Sequence, residues 1–365
     1  MPATSKEIFI SQMNFKNVER SFFMEENYAE GTFKEWPVFY ENGIRNRWDA
    51  YHHFGMDMFF NYWGYEIDSP TFLLPWYEEK IIRETETMVI KQTGWGTLEE
   101  KFKDGRDGGR LFDPIIVTPD DWARVKAERF IVDDKRRDID IAQIKENMHN
   151  ASDMPLGLFA GSLMGLLLYT LTFEGMAYAC HDYPEMIEDI VETNCLLMER
   201  YIDQMLPHFQ VDLACIYEYI TCKNGPIVPV WVVRDMIAPR LKRICDKLKK
   251  GGVGMVAVAS DGYVQPILPI LVDCGVNCLS PCAVGCGGVH PGVLLDEYQG
   301  ELRIIGGVDK LIFHDGKDAI DSYMKSILPY VKRGGFIPHV DHTVYPQMGQ
   351  ENYLHYIKRF RQLFL

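Results

Sequence analysis

VGMVAVASDGYVQPILPILVDCGVNCLSPC, residues 253–282, contains one full repeat of the architecture. Residues 253–259 form a short uncharged run, the composition of a strand buried on both faces. Asp261 and Gly262 end that run, Pro266 opens a helical stretch to residue 274, and a second apolar run begins at residue 277. Strand, helix and strand at this spacing predict a parallel pair joined by a crossover helix.

The same alternation extends both ways. Upstream, a helix over 184–207 leads to a strand over 211–217 that stops at Glu218, and a second helix spans 229–250. Downstream, strands at 302–305 and 335–338 end near Asp309 and His339, each preceded by a helix, and a last helix covers 350–364. Residues 156–160 read as a further strand, followed by a glycine loop and a buried helix from about residue 163. In the first 150 residues, 36–40 (WPVFY) and 58–62 read as the first two barrel strands. Residues 84–102 alternate on both sides of Gly94-Trp95-Gly96, which predicts a β-hairpin. Thr118-Pro119-Asp120-Asp121 has the cap, the proline and the acids of a helix start, and 138–149 reads as an amphipathic helix. About eight such units predict an α/β fold, a closed (β/α)8 TIM barrel. It is expected as a single domain over residues 1–365, with 1–35 an irregular N-terminal extension and the hairpin an insertion. There is no GxGxxG after a strand and no GxxxxGK[ST] motif.

A net charge of −14 over 365 residues excludes the basic surface that nucleic acids and anionic membranes require. Nine cysteines, an odd number spread along the chain, suit reduced thiols and a cytoplasmic location. Residues 154–173 carry no charge, but Pro155, Gly157, Gly161 and Gly165 break them, so no membrane span is expected. The first residues lack the pattern of a signal peptide.

In a barrel of this kind chemistry collects where the strands end. Glu218, Asp261, Cys282, Asp309, His339 and Asp341 all fall at such ends. Asp261, Cys282 and His339 offer three ligand types that bind zinc, and three protein ligands leave a catalytic position open; capping, packing and a metal-free acid or base are the competing roles. Glu218 is the foremost single acid/base candidate, and either Asp341 or His342, close behind His339, is placed to hold its imidazole in one tautomer; Asp341 is a further catalytic candidate. Aromatic residues concentrate over 36–65, and those after the first two strands, Tyr40 and Trp63, are candidate walls for a flat substrate. Arg45 and Arg47 are candidate partners for a substrate carboxylate, and Asp309 and His342 are further candidate substrate contacts.

The runs ASDGYVQPILPILVDCGVN (259–277), ELRIIGGVDK (301–310) and GGFIPHVDHTVYPQMGQENYLHYIKRF (334–360), with a looser EYITCKNGPIVP (218–229), resemble the uroporphyrinogen decarboxylase superfamily. More narrowly they are similar to its corrinoid-dependent methyltransferases, the O-demethylase branch. The resemblance implies a (β/α)8 barrel and a zinc held by a His-x-Cys pair and later ligands. That pair falls here on Ala259 and Asp261, the middle ligand near Cys282 and the last on His339, so the ligand types depart from the pattern. The arginine-rich motif of the decarboxylase is missing from 17–28 and 41–50.

The expected function is therefore transfer of a methyl group from a small donor, a methoxylated aromatic compound, to a corrinoid carried by a separate partner protein. No Asp-x-His-x-x-Gly motif supplies a cobalt ligand in this chain. The alternative is a metal-free, decarboxylase-like lyase acting on an aromatic or pyrrolic carboxylate. A homo-oligomer is compatible with either reading.

Overall fold

The computed structural model describes residues 3–16, 18–103 and 109–365. An antiparallel four-stranded sheet comes first: β1 (Lys80–Glu84), β2 (Met88–Gln92), β3 (Leu98–Phe102) and β4 (Arg110–Phe112). The predicted hairpin is its centre, β2 and β3 joined across Gly94-Trp95-Gly96, and β1 and β4 widen it on either side.

The main sheet has six parallel strands, β5 (Gly157–Gly161), β6 (Leu213–Tyr217), β9 (Val256–Ala259), β10 (Cys278–Cys282), β11 (Arg303–Val308) and β12 (Phe336–Val340). A small hairpin, β7 (Thr221–Cys222) and β8 (Gly225–Pro226), follows β6. Neighbours in the sheet run β5, β6, β9, β10, β11, β12. Helices Pro184–Met205, Ala238–Lys250, Lys317–Arg333 and Gln350–Phe364 lie between or after the strands as the alternation predicts. The Thr118 cap is present in full, with the reciprocal Asp121 bond.

The two N-terminal strand assignments do not hold. Residues 37–40 form a short helix, Pro37–Tyr40, because proline fixes φ and suits the first helical turn. Residues 58–62 make only a single parallel bridge, Phe60 to Leu156, before Asn61 turns the chain at φ +58°. Residues 57–60 nonetheless lie along the β5 edge and residues 25–29 along the β12 edge. Helix Pro37–Tyr40 instead sits at the start of helix Gln350–Phe364, with Val38 N–H donating to the Gln350 side chain (2.6 Å). Asp57 N–H donates to Phe23 O (2.6 Å), Phe60 N–H to Pro155 O (3.0 Å), and Val340 N–H to the Glu25 carboxylate (3.0 Å). Tyr28 bridges Val344.

The strand faces show why the sheet curls. Ala214, Ile216, Val256, Val258, Ile304 and Phe336 point to a large outer core beneath the helices. Leu213, Cys215, Ala257, Cys278, Ile305 and Ile337, the alternate positions, share a separate inner cluster. Ile8, Phe9, Met13, Phe22 and Met24 from the N-terminal segment, with Phe59, Tyr62 and Met255, complete that cluster. Helix Ser5–Met13 contributes Ile8, Phe9 and Met13, and Phe9 meets Phe22 and Phe59 edge-on at 5.6 and 5.0 Å. The N-terminal segment therefore plugs the interior at the strand starts, which leaves the other end open. Among the described residues no helix is long and apolar enough to cross a membrane.

Candidate active site

At the carboxyl ends of the strands lies a cavity of about 290 Å³. Its walls are aromatic. Tyr217 and Tyr219 stack (6.1 Å, 14°), and Trp63 stands edge-on to Tyr217 and to Phe159 (6.3 and 5.8 Å). Phe72 packs on Phe159 at 5.8 Å. Tyr169, another wall residue, is stacked by Trp95 (5.3 Å, 17°), which sits in the turn between β2 and β3. The inserted sheet thus buttresses the cavity. A larger groove of about 670 Å³ lies away from the strand ends, between helices Pro184–Met205 and Ala238–Lys250.

Two carboxyls face this aromatic enclosure, Glu26 and Asp261, together with His342. Loss of solvent pushes Glu26 up to about 8, and the charges of Asp261 and Asp341 add to that. The Glu26 carboxyl makes no hydrogen bond among the described residues. Asp261 is likewise raised by burial, with His342 and Lys310 opposing the shift. At neutral pH the mouth thus holds a protonated carboxyl able to donate a proton.

Of the residues expected here, Asp261, Trp63 and His342 line the cavity. The others do not. Glu218 is fully buried and accepts hydrogen bonds from the backbone N–H groups of Leu163, Met164 (3.1 Å) and Gly165 (2.9 Å). Burial pushes its carboxyl to about 7, with those three donors holding it down. It anchors the turn after β5 rather than facing a substrate. Asp341 accepts from the N–H groups of Gly285 and Lys310 (3.1 Å), tying together the loops after β10 and β11. Asp309 accepts from Leu311 N–H (2.8 Å), a local turn bond. Tyr40 and Arg45 are exposed and lie outside the cavity. Arg47 pairs with Glu66 and lies over the Tyr65 ring at 4.2 Å.

The expected metal set is not brought together. Among the described residues, no three His, Cys, Asp or Glu side chains are grouped to hold an ion. The register of β10 explains why: Leu279 pairs with Ile304, but Cys282 pairs with Gly306, so the strand carries one extra residue. Simple alternation from Cys278 would point Cys282 inward. The irregularity turns it outward instead, into the outer core, where burial pushes its thiol to about 12. His339 faces the interior with Ile337, fully buried; its Nδ1 lies 2.6 Å from Val340 O, and its Nε2 has no partner. Burial lowers its pKa to about 4. These residues do not fit the implied zinc.

Glu26 escaped the reading of strand ends because it lies on no regular strand. The available signal was its setting, two adjacent acids within the apolar run SFFMEENY.

No family model matches the chain, and no curated protein matches its sequence. Among solved structures, the fold is shared with a methyltransferase from Methanosarcina mazei. The match has a TM-score of 0.59 and 12% identity, and covers 99% of each chain.

Proposed function

We propose that this protein is a methyltransferase that moves a methyl group from a methoxylated aromatic donor, held in the mouth, to a corrinoid on a separate partner protein. On this reading residues 1–365 act as one (β/α)8-type barrel domain. The fold shared with a methyltransferase supports the reaction class, and the aromatic walls suit a flat ring. One observation carries the chemistry: the Glu26 carboxyl stands among those aromatic walls, where burial raises its pKa to about 8.

The reduced corrinoid of the partner is the methyl acceptor and supplies the nucleophile. As the methyl carbon leaves, the electron pair of its C–O bond passes to the aryl oxygen. Glu26 gives that oxygen its proton, so that a phenol departs and a carboxylate remains. The aromatic walls orient the ring and exclude water from the developing charge. Asp261 becomes the neighbour of a newly ionised Glu26, and their repulsion favours recovery of a proton before the next turnover.

The test is incubation with reduced cobalamin and a panel of methoxyaromatics, methylamines and methylthiols, followed by methylcobalamin absorbance. Signal with the methoxyaromatics alone is expected; signal only with another class defeats the donor assignment. Glu26→Gln should lower the rate by about 10²–10⁴-fold. The loss should be smaller for donors whose phenols are strong acids, because these need less proton transfer. In the unaltered protein the rate should fall as pH rises through about 8, the range in which Glu26 loses its proton. A Glu26→Gln variant of full activity, or an unchanged alkaline limb, would remove the residue from the mechanism.

A further inference from the structure

The charge and hydrogen-bonding groups of the cavity narrow the donor further. Glu26 and Asp261 line it, and no lysine or arginine does so among the described residues. Lys310 is not among the lining residues, its Nζ lying 3.4 Å from Cys286 Sγ, although its charge still bears on Asp261. His342 is stacked on Tyr345 (5.6 Å, 22°), with its Nδ1 3.1 Å from the tyrosine hydroxyl. An anionic ligand would therefore lie against Asp261, with no lysine or arginine among the described lining residues to receive its charge. Trp63 adds a second constraint. Its ring lines the cavity, and its buried Nε1–H has no acceptor among the described residues. With the Glu26 hydroxyl, that makes two donors in search of oxygen acceptors, which a methylated ammonium ion cannot provide.

We propose that the donor is an uncharged methoxyphenol, and that Asp261 is the specificity-determining residue that rejects ring carboxylates and accepts a hydrogen bond from the free ring hydroxyl. This rests on the methyl-transfer reading above, and names the substrate class of the same site. Trp63 and Glu26 donate to the ring oxygens, and the aromatic walls hold the ring itself.

The experiment compares 2-methoxyphenol with 4-hydroxy-3-methoxybenzoate, which share ring and methoxyl and differ by one carboxylate, alongside tetramethylammonium. Binding is followed by quenching of tryptophan fluorescence, and turnover with reduced cobalamin as acceptor. The neutral phenol should exceed the carboxylate by about 100-fold in both affinity and kcat/KM at pH 7, the effect of one like-charge juxtaposition. Asp261→Asn should narrow that ratio at least tenfold, mainly through KM for the carboxylate. A merely structural lesion would depress both donors equally and leave the ratio unchanged. Equal binding of the two arenes by the unaltered protein, or tighter binding of tetramethylammonium, overturns the inference without use of any variant. Selective binding of the phenol with no methyl transfer from it would instead overturn the methyl-transfer reading, leaving the charge selection standing.

Discussion

Buried carboxyls near the mouth have divergent tasks, and their hydrogen bonds distinguish them. Glu218 and Asp341 spend their oxygens on backbone N–H groups of neighbouring loops, whereas Glu26 has no such donor among the described residues. Glu218→Ala should leave three buried N–H groups unpaired, at a cost of about 1–3 kcal/mol each. Chemical denaturation should show that loss; a midpoint like that of the unaltered protein would refute an anchoring role for Glu218. Asp261 was legible in the sequence because it ends a clean apolar strand. Glu218 stands at the same kind of position yet turns away from the cavity, since the turn at 163–165 offers it three donors.

The elements decide which side chains reach the mouth. One irregularity in β10 sends Cys282 to the outer core, so a constellation read from regular alternation falls apart. The turn after β5 is equally constrained. A Cβ on Gly165 would lie 2.1 Å from Tyr219 N and 2.6 Å from the Cα of Glu218, both backbone atoms that cannot swing aside. Gly165→Ala should therefore destabilise the protein by about 1–3 kcal/mol. It should also displace Tyr219 from its stack on Tyr217, weakening donor binding. Thermal unfolding and donor titration together check this, and an alanine variant that keeps both properties would contradict the close approach. The inserted sheet was predicted as a hairpin from its alternation. Its use as a buttress, through Trp95 on Tyr169, follows from a contact across distant sequence.

The molecule as a whole contains several acids whose protons are held by burial, which sets its response to pH. Glu25 and Glu26 keep their protons up to about pH 8 when folded, against an ordinary value of 4.5. Glu218 and Asp341 behave similarly up to about 7. Across that interval the folded chain binds more protons than the unfolded one, so stability falls as pH rises. His339 works against this only at lower pH, where its imidazole stays neutral down to about 4 and the unfolded one charges below 6.5. Between pH 6.5 and 8 the carboxyls act without it. The unfolding free energy should drop there by on the order of 1–2 kcal/mol for each of Glu25 and Glu26. Denaturation at the two pH values measures the drop, and Glu26→Gln should flatten it; a rise in stability over that interval would disprove the account.

The α/β class, the parallel strand order implied by alternation and the aromatic, acidic character of one end can all be read from local pattern, because hydrophobic period and punctuation act within a few residues. The partners across the cavity cannot. Glu26 and Asp261 line one cavity only because residues 21–28 lie along the edge of β12, and helix Ser5–Met13 fills the interior only because the sheet curls around it. Contacts between stretches more than two hundred residues apart depend on packing, and packing leaves no periodic trace in the chain.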